Sequence, residues 1–122
     1  MGDPRPLVVM LEDDHASAEA LGFVLRDWGA DVAHATSLPA IAETLGERIA
    51  AIDCIIADFN LGPGPDGVAL ATALRDRSPT ARVLVLSGSF HGQAQAAAHA
   101  AGFPMIQKPA QADAIIAWLE AR

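Results

Sequence analysis

A single cysteine, Cys54, rules out an internal disulfide. Its place inside an apolar run reads as a small buried core residue. Tyrosine is absent altogether. No apolar stretch reaches the roughly 18–20 residues needed to span a bilayer. Met1-Gly2-Asp3-Pro4-Arg5-Pro6 lacks the apolar stretch of a secretory signal. The expectation is a cytoplasmic location without membrane contact. Basic residues are few: 8 Lys and Arg stand against 15 Asp and Glu, a net charge of −7. Direct nucleic-acid binding, which needs clustered Lys and Arg, is therefore not expected. The charge permits a cation site, although scattered surface acids would give the same total. His15, His34, His91 and His99 show no metal-ligand spacing and read as surface residues.

What is present is 122 residues, 52% of them hydrophobic, enough for one buried core. Apolar runs alternate with helical patterns. Leu7 to Leu11 reads as a fully buried strand. Ala16 to Trp28 follows, with Leu21, Val24, Leu25 and Trp28 at helical spacing, and Gly29 as a stop signal. Ala30 to Ala35 is a short second strand. Ser37 caps a helix running to about Ile49, with Pro39 tolerated in its first turn. Asp53 to Ala57 is a third strand, followed by a loop dense in turn residues from Asp58 to Gly67. Val68 to Arg77 is the third helix and Arg82 to Leu86 the fourth strand. An Ala-rich helix runs from about Gly92 to Ala101, then a short strand from Met105 to Gln107. Gln111 to Arg122 is a last amphipathic helix.

Strands alternating with helices call for an α/β fold, a parallel sheet covered on both faces. No Pro/Gly/Ser linker interrupts the pattern. The expectation is one domain over residues 1–122, core about 6–121, with no output domain. In open parallel sheets, functional groups gather beyond the carboxyl ends of the strands. Here the first strand ends in Glu12-Asp13-Asp14, the third in Asp58, the fourth in Ser87-Gly88 and the fifth in Gln107-Lys108-Pro109. With strand order 2-1-3-4-5, three carboxylates, one hydroxyl and one ammonium meet in one pocket. Clustered carboxylates repel unless a cation joins them, and an all-oxygen set suits a hard divalent ion such as Mg²⁺.

Each piece has a plainer reading when taken alone. Acids after a strand often cap the next helix, and Asp14 fits that role. Asp58 and Ser87 could be turn residues, and Lys108 a solvated surface charge. All of them falling in order at the ends of the right strands favours a site.

The segments VVMLEDD, CIIADFNL, VLVLSGS and MIQKPA together resemble the receiver domain of bacterial two-component response regulators. The resemblance covers nearly the whole chain and implies a flavodoxin-like, doubly wound (βα)5 sandwich with strand order 2-1-3-4-5. It implies that Asp58 accepts a phosphoryl group from a histidine kinase or phosphotransfer protein. It implies that Glu12 and Asp13 hold Mg²⁺ (or Mn²⁺ in its place), Asp13 closer and Glu12 through water, with Asp58 and the Asn60 carbonyl as further ligands. Ser87 resembles the switch hydroxyl, and Lys108 the lysine that pairs with the phosphoryl group. The Lys108–Pro109 bond is expected to be cis. Asn60 and Ser89 lie where the family tunes decay of the acyl phosphate. The protein is then not an enzyme, apart from its own phosphorylation and dephosphorylation. It switches a surface toward a downstream protein target, with a homodimer among the allowed assemblies.

Two departures stand out. The loop after Asp58 is one residue longer than usual, with Gly62 where Pro is common. Met105 stands where many receivers carry Tyr or Phe three residues before the lysine, so an aromatic swing is excluded as the switch. Met105 reads as core filling, and the loop after Ser87, including Phe90, is the better place for a surface change. Receivers of hybrid histidine kinases often lack the aromatic too, which makes that origin attractive. Two other classes compete. An aspartyl phosphatase usually shows Asp-x-Asp, the second acid acting as general acid-base; here that position is Asn60. A degenerate receiver would act as a phosphorylation-independent docking module, but its acids, hydroxyl and lysine are all in place here.

Overall fold

The computed structural model describes residues 5–61, 66–88, 92–108 and 112–121. Strand β1 (Leu7–Leu11) leads into helix α1 (His15–Trp28), strand β2 (Asp31–Ala35) and helix α2 (Leu38–Leu45). A 3₁₀ turn (Gly46–Ala51) precedes β3 (Cys54–Asp58), α3 (Gly67–Arg77), β4 (Arg82–Ser87), α4 (Gln93–Ala101), β5 (Met105–Gln107) and α5 (Ala112–Glu120). The strands form one sheet in the order β2-β1-β3-β4-β5, and every pairing is parallel. The parallel sheet is what the sequence pattern calls for, and its strand order is the one that the resemblance implies.

The central strands are apolar along their whole length because both faces are covered. Alternate residues enter two cores, as the two-residue period of a strand dictates. Val9, Leu11, Ile55, Ala57, Val83 and Val85 pack with residues of α2, α3 and α4. Val8, Met10, Cys54, Ile56, Leu84 and Leu86 pack with residues of α1 and α5. Cys54 is buried, as its apolar setting predicts.

Helix α2 is shorter than expected. The Ser37 hydroxyl accepts from Ala40 N–H at 3.2 Å and starts it. Gly46, at φ 55°, ends it, because a positive φ does not continue an α-helix. Apolar Ile49 keeps the helical spacing in the sequence, but the chain passes it in the 3₁₀ turn. The third and fourth strands each run one residue further than expected, so Asp58 and Ser87 are the last strand residues rather than the first loop residues.

Candidate functional site

Three strand ends and the chain after β5 deliver the site. Backbone bonds continue past the regular pairings there: Phe59 N–H donates to the Leu86 carbonyl at 2.9 Å, and Lys108 N–H to the Ser87 carbonyl at 2.7 Å. These bonds fix where the Asp58 and Lys108 side chains begin. The Lys108 ammonium then donates to Asp58 Oδ2 at 2.8 Å and to Glu12 Oε2 at 3.2 Å. Lys108 is therefore a partner of two buried acids, not a solvated charge. Glu12 and Asp58 are each 6% exposed, whereas Asp13 faces solvent. The carboxylate oxygens of Glu12, Asp13 and Asp58 approach within 4.8 Å of one another.

The remaining polar contacts orient these acids. Asn60 N–H donates to Asp58 Oδ1 at 3.2 Å. Asp14 N–H donates to Glu12 Oε1 at 3.1 Å. Asp14 does stand at the start of α1, but its carboxylate makes no cap bond to the helix backbone. It accepts instead from the Ser17 hydroxyl at 2.5 Å, and that bond chiefly holds its pKa below the usual value.

Burial is the largest influence on Glu12 and raises its carboxyl above the usual value. The negative charge of Asp58 adds to this, while the Asp14 N–H and the Lys108 ammonium oppose it. Burial alone would pull Lys108 down. Its bonds and charge pairing with Asp58, and then with Glu12, outweigh burial and hold the ammonium above its usual value. The site thus sets three carboxyl groups beside one ammonium.

Ser87 is fully buried at the end of β4, one register step beyond the Leu86–Asp58 pair. Met105 lies partly buried against the core under α3 and α4, so it fills space as expected. Gly62, Ser89, Phe90, His91 and Pro109 lie outside the described residues. The expectations of a lengthened loop, of a surface change after Ser87 and of a cis Lys108–Pro109 bond fall on those residues. A cavity of about 480 Å³ opens beside Glu12, Asp58 and Lys108, with Met10, Ile56 and Leu86 among its apolar walls.

Two contributors escaped the sequence reading. Gly67 starts α3 directly against the backbone of Asp58: a Cβ there would sit 2.0 Å from the Asp58 carbonyl oxygen. Its only signal was the Asp66-Gly67 pair in a turn-rich loop. His34 is half-buried rather than superficial, and its Nε2 lies 2.5 Å from the Glu12 carbonyl oxygen.

The chain matches the family described as response regulator receiver domain over residues 8–120. It is similar to a response regulator protein from Burkholderia pseudomallei, solved with a phosphorylated aspartic acid, a calcium ion and citrate. Identity is 26% and TM-score 0.78, over 97% of this chain and 68% of that one. A CheY-like receiver domain protein from Methanospirillum hungatei shares 17% identity at TM-score 0.80, over 96% and 92% of the two chains. The chemotaxis response regulator CheY4 of Vibrio cholerae shares 21% at TM-score 0.77, over 96% and 98%. No curated protein matches the chain by sequence.

Proposed function

Because the chain belongs to the response regulator receiver domain family, we propose that Asp58 is its phosphoacceptor and that the occupied site switches a protein-binding surface. The observation that carries this reading is the pairing of buried Asp58 with Lys108 at 2.8 Å, next to a second and third carboxylate. Structural ion pairs normally match charges. This cluster instead sets three acids against one ammonium, an imbalance suited to a divalent cation.

Glu12, Asp13 and Asp58 would hold that ion, with Mg²⁺ the natural choice for an all-oxygen set. When bound, it supplies positive charge against the carboxylates and the phosphoryl oxygens. The calcium ion and phosphorylated aspartic acid in the Burkholderia relative support both assignments. The chain's own part is positional. Lys108 orients the Asp58 carboxylate through Oδ2, and the Asn60 N–H does so through Oδ1. A carboxylate oxygen of Asp58 attacks the phosphorus of a phosphohistidine. The P–N bond breaks, and its electron pair returns to the imidazole nitrogen, which takes up a proton. Lys108 offsets charge on the transferred group, as in-line phosphoryl transfer requires. Ser87, buried at the end of the neighbouring strand, is the hydroxyl that would follow the new group, a role that its strand-end position supports. The donor is a histidine kinase or phosphotransfer protein, and the downstream partner reads the altered surface.

Phosphoramidate with Mg²⁺, followed by intact mass, tests this reading. A gain of one phosphoryl group that needs Mg²⁺ and is lost in Asp58→Asn supports it. No gain in folded protein leaves the docking-module reading.

A further inference from the structure

Glu12 lies one residue past the last β1–β2 pair, Leu11 with Ala35. Its carbonyl is taken by a side chain, the imidazole of His34 on β2, with Nε2 at 2.5 Å. A carbonyl only accepts, so Nε2 carries the hydrogen in this contact. His15, the first residue of α1, packs edge-on against the His34 ring, centroids 5.7 Å apart and planes at 87°. The ring is thus held between an edge strand and a helix start.

The peptide unit whose oxygen His34 holds is the one between Glu12 and Asp13. Its six atoms are coplanar, so holding the oxygen restrains the plane that carries both Cα atoms and narrows the directions open to their side chains. Those side chains are two of the three acids in the cluster. Asp13 gains most, because it is exposed and has less packing to hold it. We infer that His34 is a positioning residue for divalent-cation binding: through Nε2–H it sets the Glu12–Asp13 peptide, and His15 holds its ring in place. This rests on the reading of the acid cluster as a cation site. Partners outside the first ligand shell commonly change metal affinity 10- to 100-fold, and one neutral bond to the main chain belongs near the lower end.

The test is Mn²⁺ affinity by electron paramagnetic resonance for wild type, Asp13→Asn, His34→Leu and His34→Gln. His34→Leu loses the donor and weakens binding about 10-fold. His34→Gln, which keeps an N–H of similar reach, recovers most of the loss. At saturating Mg²⁺ the phosphoramidate labelling rate of His34→Leu returns to that of wild type, since only ion binding is impaired. Metal-free melting curves control for folding; should His34→Leu not fold, His34→Asn, whose amide falls short of the carbonyl, is measured in its place. Wild-type affinity in His34→Leu, with binding lost in Asp13→Asn, overturns the role of His34 and leaves the site intact. Equal losses in the Leu and Gln variants overturn it as well. No binding by wild type overturns both the cation site and this inference.

Discussion

Two glycine-to-alanine substitutions of the same chemistry should act with opposite sign. At Gly67 a new Cβ would lie 2.0 Å from the Asp58 carbonyl oxygen, 2.7 Å from its carbon and 3.2 Å from Phe59 Cα. All three are main-chain atoms, so no side-chain rotation relieves the clash. The start of α3 or the end of β3 must move by about 1 Å to bring the closest contact to a tolerable 3.0 Å. That movement strains the Gly67 N–H bond to the Phe59 carbonyl, now 2.9 Å. Overpacking costs about 1–3 kcal/mol and a weakened buried hydrogen bond adds about 1 kcal/mol. Gly67→Ala should therefore lose roughly 2–4 kcal/mol, or about 6–16 °C in melting temperature for a domain of this size. Displacing Asp58 by about 1 Å should also slow phosphoramidate labelling by about 100-fold. At Gly22, inside α1, the new Cβ meets only the far end of Arg26 at 3.3 Å and Met10 Sδ at 4.0 Å. There Ala removes backbone freedom from the unfolded chain and should add about 0.5–1 kcal/mol. Urea titration and thermal melts read both. A Gly67→Ala protein that melts with wild type and labels at its rate would refute the close approach at Asp58.

Three other outcomes are expected. Glu12 titrates above its ordinary 4.5, so its ionised form is disfavoured in the fold; its contribution is present at low pH and is lost as pH rises from 4.5 through the raised value. Metal-free Glu12→Gln should then melt higher than wild type at pH 7, while wild-type Mn²⁺ affinity climbs over that window because the ion needs the carboxylate. Lys108 has a raised value, so its contribution is complete below 10.5 and is lost at higher pH. Lys108→Met should melt below wild type at pH 8, with the gap closing above pH 10.5. Phe23 is 73% exposed on α1, between exposed Glu19 and Asp27 one helical turn away on either side. Phe23→Ala should leave stability within about 0.5 kcal/mol of wild type, as an exposed substitution does, and leave phosphoramidate labelling unchanged.

The strands were legible because burial on both faces leaves near-continuous apolar runs, with the acids, Ser87 and Lys108 at their carboxyl ends, while their order came from the family resemblance. The convergence of Glu12, Asp13, Asp58 and Lys108 followed once that strand order was assumed. Contacts that depend on the path of the main chain were not legible. The end of α2 at Gly46 turns on a single positive φ, while Ile49 goes on matching the helical period. The nearness of Gly67 to Asp58 arises only when the loop between them closes. The reach of His34 to Glu12 depends on the register that sets β2 beside β1, so spacing gave no hint of it. Phe23 was visible in principle: it falls off the stripe of Leu21, Val24, Leu25 and Trp28 on α1.

The most direct test is chemical trapping of the phosphorylated residue. Protein treated with phosphoramidate and Mg²⁺ is reduced with borohydride, which converts an aspartyl phosphate to homoserine, and its peptides are sequenced by mass spectrometry. The account predicts homoserine at position 58, absent without Mg²⁺ and absent in Asp58→Asn. Homoserine at Asp13 or another acid, or a phosphoryl group borne stably on Ser87 or a histidine, would contradict it.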